Sequence, residues 1–426
     1  MAEPGSLVIK GGRVVDLSGD RISDVVVVDG RIAAIGPDLS ADRTLDAGGC
    51  IVAPGLVDLH SHLREPGNEE AETIETGARG AALGGYTAVV AMPNTTPAID
   101  GAAVVKEVLE LGRSSICEVF PSGTITVGRG GTQLAPMAEM AALGVRLFTD
   151  DGAGVQDNLL MRRAMEYARG LGVTLAQHCE DDALCGGGHM HEGEWSARLG
   201  LAGQPAEAEE LMVMRDIALA RLTGCRIHFQ HLSTAGSVAM VRSAVASGLP
   251  VTAEATPHHF TLTHAACQGY DPVFKVNPPL RTVADVAAVK SGLADGTIDA
   301  IATDHAPHTP ETKELPFDQA PPGMLGLETA LALALGELDL SVEQVLALLS
   351  WKPAKIAGID DSHGSIAEGR PANLCVIDPE VTWTVDGSAM ASRSANTPYQ
   401  GRRLLGRVRH TVLGGEPVVI DGDAQR

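Results

Sequence analysis

The chain is short of positive charge: 32 lysines and arginines stand against 54 aspartates and glutamates, a formal charge of −22 over 426 residues. Such a field repels phosphate backbones and anionic membrane surfaces, which argues against nucleic acid as a partner. It also disfavours an anionic small substrate unless local arginine or metal charge overrides it. Paired cysteines are missing as well. Cys50, Cys117, Cys179, Cys185, Cys225, Cys267 and Cys375 are odd in number and scattered, with no CxxC pair. That excludes a disulfide framework and reads as reduced, mostly buried thiols in a cytoplasmic protein. No apolar run approaches the roughly 18 residues a membrane span requires. The opening "MAEPGSLVIKGG" lacks the basic start and apolar core of a secretion signal, so neither a span nor export is expected. Internal repeats and low-complexity tracts are absent. A composition with 44% hydrophobic and 20% charged residues is that of an ordinary soluble globular enzyme.

What the chain does contain is strand and helix in alternation. Residues 6 to 53 are dense in short β signals broken by Gly and Asp turns, and the same texture returns in "ANLCVIDP" and "RVRHTVLGGEPVVIDG". Two β-rich ends suggest one composite β-sandwich built from both termini, since chain ends of a domain commonly lie close together. Between them, "IVAPGLVDL", "TAVVAM", "CEVFPSG", "VRLFT", "VTLAQ", "RIHFQ", "VTAEA" and "IDAIAT" read as eight strands. Helical spacing separates them over 69–83, 102–111, 159–171, 206–222 and 233–246. This predicts an α/β fold, a (β/α)8 TIM barrel over 55–364, with 1–54 and 365–426 as the two parts of the composite domain. The 310 barrel residues exceed the ~250 typical of that fold. The excess is assigned to "CGGGHMHEGEWSARLGLAGQ" and "HTPETKELPFDQAPPGM", expected as long loops over the barrel mouth.

The ends of these strands carry the chemistry. In "DLHSHLREPG" His60 and His62 are spaced so that both imidazoles leave one face of an extended strand. The fourth predicted strand ends in "TDDG", the fifth in "QHCED", the sixth in "QHLST" and the eighth in "ATDHAPH". Each piece alone is weak, because a buried histidine is more often a satisfied core residue and "TDDG" more often a turn. Their shared address, the C-terminal face where barrel enzymes keep their active sites, is the stronger signal. His60, His62, His178, His231, Asp304 and one of Asp150 or Asp151 furnish donors for one or two divalent ions, zinc most naturally. A bridging carboxylate can hold two ions about 3.5–4 Å apart with a hydroxide between them as nucleophile, and Asp304 can both ligate and accept its proton as general base. Arg64 continues the same-face series 60, 62, 64 and is expected as a bidentate clamp for a substrate carboxylate. Asn94, Asn277 and His308 add donors and acceptors from neighbouring loops, although both Asn-Pro contexts are equally turn formers. His258 and His259 in "ATPHHF" are expected in a loop as supporting residues, and His305 as support rather than ligand. His189 and His191 lie in the glycine-rich insertion, away from any strand end.

Taken together, "DLHSHLREPG", "MPNTTP", "FTDDG", "QHCED", "HLST", "KVNPPLR", "ATDHAPH" and "PPGMLGLET" resemble dihydroorotase of the amidohydrolase superfamily, in its bacterial long-chain form. The resemblance spans nearly the whole chain. It implies that His60, His62, His178, His231 and Asp304 ligate metal and that Asp151 is the bridging ligand. Many amidohydrolases carry a carboxylated lysine at the fourth strand; "LFTDDG" has none, which favours the aspartate-bridged dihydroorotases over hydantoinases and allantoinases. The resemblance further implies reversible, zinc-dependent cyclisation of N-carbamoyl-L-aspartate to L-dihydroorotate in pyrimidine synthesis, by a metal-bound hydroxide with Asp304 as general acid and base. His62, Arg64, Asn94 and Asn277 are then substrate-binding, with His308, Pro322 and Gly323 against the ring or ureido group. It allows a homodimer and an association with aspartate transcarbamoylase. Two readings compete: a hydantoinase-like enzyme, on which the Arg64 clamp would be wasted, and a catalytically dead scaffold, which is expected to lose metal histidines that this chain retains.

Overall fold

The computed structural model describes residues 5–426. Each of the eight apolar runs supplies a barrel strand: Leu56–Ser61, Tyr86–Ala91, Glu118–Pro121, Leu147–Phe148, Thr174–Gln177, Ile227–Phe229, Val251–Ala255 and Ala300–Ile301. Every residue of the first two strands is buried, as a strand covered by the barrel interior on one side and helices on the other requires. The pairings are parallel. Single bridges, Gly123 with Phe148 and Ser61 with His305, close the two arcs into one ring. Asp58 reinforces the second closure: its carboxylate accepts from Thr303 N at 2.8 Å and Thr303 Oγ1 at 2.7 Å.

Helices between the strands follow local chemistry. Asn158–Leu171 starts where Asp157 accepts from Leu160 N and stops at Gly172, whose φ of 70° continues no helix. It turns Met161, Ala164, Met165 and Ala168 onto the barrel wall, one stripe at helical spacing. The first helix is shorter than the sequence pattern suggests. It covers Ile74–Leu83 rather than starting at 69, because Thr73 caps it in a reciprocal box with Thr76.

Three further expectations are corrected. The run "IVAPGLVDL" is two strands: Ile51–Pro54 belongs to the terminal sheet and Leu56–Ser61 to the barrel. They divide at Gly55, where an added Cβ would sit 2.2 Å from Thr87 Oγ1. "ATPHHF" is a short buried helix, Pro257–Thr261, with Pro257 at its first turn, rather than a loop. The two long insertions also carry structure. Helices Asp182–Cys185 and Glu194–Leu199 flank a two-stranded sheet, Met190–His191 with Gly203–Gln204, and the second insertion holds a turn of helix at Pro310–Lys313.

The terminal segments meet in one nine-stranded sheet. Leu374–Thr384 pairs antiparallel with Ile51–Pro54, Val376 opposite Val52, so the C-terminal strands join the N-terminal ones at the point where the chain enters the barrel. This sheet closes over its own apolar core, including Ile9, Val14, Val25, Leu374 and Val412.

Candidate metal and substrate site

Four imidazoles and two carboxylates from five strand ends converge at the C-terminal mouth. Asp151 is central: its oxygens lie 3.2 Å from His60 Nε2, 3.5 Å from His62 Nε2, 3.5 Å from His178 Nδ1 and 3.7 Å from His231 Nε2. Donor atoms of His60, His62 and Asp151 fall within 4.8 Å of one another, and so do those of Asp151, His178 and His231. Asp304 joins from the last strand, 3.1 Å from His62 Nε2 and 3.5 Å from His60 Nε2. The adjacent Asp150 turns away and accepts from Ile125 N at 2.8 Å and Thr126 N at 3.0 Å, tying down the loop after the third strand.

Three of the four imidazoles are aimed by a partner on the far nitrogen. His60 Nδ1 lies 2.9 Å from Glu254, His62 Nδ1 2.9 Å from the Asn94 side-chain oxygen, and His178 Nε2 2.8 Å from Glu180. An acceptor there fixes the tautomer and turns the other nitrogen's lone pair toward the centre. The Glu254 arrangement extends downward: its second oxygen lies 3.0 Å from His228 Nε2, whose Nδ1 meets Thr252 Oγ1 at 2.9 Å. Neither Glu254 nor Glu180 was assigned a role from sequence. Glu180 sits within "QHCED", and Glu254 is the one acid in the apolar strand "VTAEA", two residues from Thr252 and on the same face.

Carboxylates and imidazoles at this centre shift one another's ionisation. Burial opposes charge on Asp151 and Asp304, but the surrounding imidazoles outweigh it and hold both carboxyls below the usual range. Burial likewise works against a charged Glu254, yet His228 and His60 bring it down to about 2. In return His178, despite its burial, is raised to about 10 by Asp151 and Glu180. His60 Nε2 is fully buried and has no hydrogen-bond partner among the described residues. An orphaned ring nitrogen facing two carboxylates suits a nitrogen- and oxygen-liganded divalent ion, so the residues present fit a metal.

Beside this centre lies a cleft of ≈ 570 Å³, open to solvent, lined among others by Arg64, Asn94, Asn277, His308, Pro322 and Gly323. Arg64 arrives there differently from the expected route. The first strand ends at Ser61, so strand alternation does not extend to residue 64; Arg64 instead adopts a left-handed backbone with φ of 62°. Its Nε donates to Pro307 O at 3.1 Å, and Nη2 lies 3.3 Å from His308 Nε2. Among the described residues it has no carboxylate within 4 Å. His308 is kept neutral, its pKa lowered to about 3 by burial and by Arg64, and its Nε2 meets Pro322 O at 2.8 Å. Gly323 N donates to Lys275 O and its carbonyl accepts from Asn396, so the backbone at 322–323 is engaged within the protein. Only glycine fits there: at φ of 136°, a Cβ would lie 2.8 Å from both Ala306 Cβ and His308 Nε2.

Other histidines named from the sequence are held by protein partners or lie off the site. His305 Nε2 lies 3.3 Å from Glu72, and His259 spans from Thr256 Oγ1 to Pro278 O. His191 is buried with its Nδ1 3.2 Å from Arg281. His189 lines neither the metal centre nor the cleft.

Residues 49–237 match the Dihydro-orotase-like family. The chain is 50% identical over 423 residues to the dihydroorotase of Pelotomaculum thermopropionicum, covering 97% of this chain and 99% of that one. It is 48% identical to the dihydroorotase of Mycobacterium tuberculosis, over 98% of this chain and 99% of that one. Among solved structures, the L-hydantoinase (dihydropyrimidinase) of Arthrobacter aurescens superposes with a TM-score of 0.89 at 26% identity, over 99% of this chain and 97% of that one. The D-hydantoinase (dihydropyrimidinase) of a Thermus species shares the fold, with a TM-score of 0.84 at 24% identity over 98% and 96% of the two chains.

Proposed function

The chain belongs to the dihydroorotase family and is a cyclic amidohydrolase, and from that premise we propose that it interconverts N-carbamoyl-L-aspartate and L-dihydroorotate in pyrimidine synthesis. The observation that carries the substrate assignment is Arg64: a half-buried guanidinium with no carboxylate within 4 Å among the described residues, in a cleft shared with the imidazole cluster. A substrate carboxylate would complete it, with the planar fork giving two parallel hydrogen bonds. Asn94 and Asn277 would add polar contacts on the same carboxylate.

His60, His62, His178, His231, Asp151 and Asp304 would hold one or two zinc ions. Bound zinc supplies a Lewis acid for the carbonyl oxygen and lowers the pKa of water at the centre. The chain's own residues do the rest. Glu254, Asn94 and Glu180 hold three of the imidazoles in register. Asp304, ionised and directed at the same centre, accepts the proton released as the ring amide is attacked and delivers it to the departing nitrogen. In the cyclising direction the same carboxyl takes that proton back from the ureido nitrogen.

The test is a metal count on the purified protein coupled to ring-opening assays on dihydroorotate and on hydantoin. Bound zinc with dihydroorotate turnover is the expected result; hydantoin turnover without dihydroorotate turnover would overturn the assignment. Among the described residues no helix is long and apolar enough to cross a membrane. A cytoplasmic location, a homodimer and an association with aspartate transcarbamoylase complete the proposal, the last two read by sedimentation of the protein alone and mixed with that enzyme.

A further inference from the structure

We propose that the opposite, N-terminal mouth of the barrel is a second ligand site, for a small anion carrying two phosphate-ester groups. A cavity of ≈ 1150 Å³, open to solvent, lies at the strand starts and is lined by Arg146, Arg226, Lys352 and Lys355. Arg146 immediately precedes the fourth strand and Arg226 the sixth, while both lysines belong to the helix Lys352–Ala357. The cations thus reach the cavity from separate elements.

Charge balance makes this concentration unusual. Among the described residues the only acid on the cavity wall is Asp299, whose Oδ2 already accepts from Ala253 N at 3.1 Å. Several exposed arginines elsewhere are paired with carboxylates, as in Arg79–Glu75, Arg162–Glu166, Arg198–Glu194 and Arg242–Asp295. At this mouth Arg146 and Arg226 donate instead to the carbonyls of Ala141 and Gly172. Among the described residues none of the four cations reaches a carboxylate oxygen within 4 Å. In a chain of net charge −22, four cations against one acid around a concavity form a local positive well.

The chemistry narrows the ligand. Guanidinium forks and ammonium groups from different elements suit an anion with two separated, multiply charged groups, and phosphate oxygens match that geometry. Concavity favours a compact molecule over the flat face of a macromolecule. Thr252 lies on the same wall, and its hydroxyl is the lower end of the hydrogen-bond series through His228 and Glu254 to His60. An occupant therefore rests against a chain of contacts that reaches the imidazole cluster.

The test titrates the zinc-loaded protein with fructose 1,6-bisphosphate at low ionic strength by calorimetry, in the wild type and in two double variants, K352Q/K355Q and R146Q/R226Q. One saturable site per chain is expected, weakened about tenfold or more in each variant, with metal content and dihydroorotate ring opening in the absence of the bisphosphate unchanged. If a double variant melts below the wild type, the single substitution Lys355→Gln on the exposed face replaces it. Absence of saturable binding, equal affinity in wild type and variants, or displacement by saturating dihydroorotate overturns the proposal.

Discussion

The two mouths of the barrel use charge in opposite ways. At the C-terminal mouth, carboxylates and imidazoles are buried together and three of the four imidazoles are held by a named partner, an arrangement that could hold a metal ion. At the N-terminal mouth, cations with long flexible stems ring an open cavity, and among the described residues none of them reaches a carboxylate within 4 Å. Buried charge of this kind is costly unless complemented, whereas exposed charge is cheap but gains little from any single contact. One end of the barrel is therefore committed to a fixed chemistry, and the other presents a diffuse electrostatic surface. The series His60, Glu254, His228, Thr252 runs between them through the barrel interior.

Substitutions should follow that contrast in size. The largest effect is expected for His178→Ala, which should remove metal and dihydroorotate turnover together, exceeding the roughly 10–100-fold loss typical of groups that only orient a ligand. Elemental analysis beside the assay checks it; full metal content in the variant would show that the cluster tolerates a missing member. Arg64→Ala should leave the metal in place and weaken transition-state stabilisation by about 2–5 kcal/mol, the cost of losing one partner of a desolvated charge pair. Comparing kcat/KM with metal stoichiometry separates the two roles, and metal loss in this variant would merge the clamp with the centre.

Glu254→Gln tests whether the axial series matters to the upper mouth. Metal affinity, measured by competition with a chromophoric chelator, should fall about 10–100-fold. The smallest effect is expected away from both mouths. Glu328, pushed up to about 7 mainly by burial, accepts from Ala391 N. Because its folded pKa exceeds its unfolded one, its contribution to stability is fully present below about pH 4.3 and is lost as pH rises through 7. Glu328→Gln should therefore flatten the pH dependence of the denaturation midpoint across that window, by about 1–2 kcal/mol after allowance for its partial exposure. An unaltered pH profile in the variant would assign the dependence elsewhere.

How much of this was legible in the sequence differs by kind of signal. The eight apolar runs were legible because a strand buried on both faces must be continuously apolar. The histidines were legible because they sit at the ends of those runs. Glu254 was not, since a single acid inside "VTAEA" reads as noise until Thr252 and His228 are seen to share its hydrogen bonds. Arg64 reached the expected cleft by a route that alternation could not supply, because a left-handed residue after a strand end has no period. The choice between Asp150 and Asp151 was equally closed to strand spacing: neighbours in sequence, one faces the loop after the third strand and the other the imidazole cluster. The insertions were read as loops because their short helices and two-residue strands fall below the length at which periodicity is visible.

The ring closure at Ser61 and His305, braced by Asp58 against Thr303, lies directly beneath the imidazole cluster. A nascent polypeptide that has emerged only as far as residue 231 already carries His60, His62, Asp151, His178 and His231, but not the seam that sets the first strand beside Asp304. The complete set of four imidazoles and two carboxylates therefore exists only in a chain that extends past residue 304, the last of them to be synthesised.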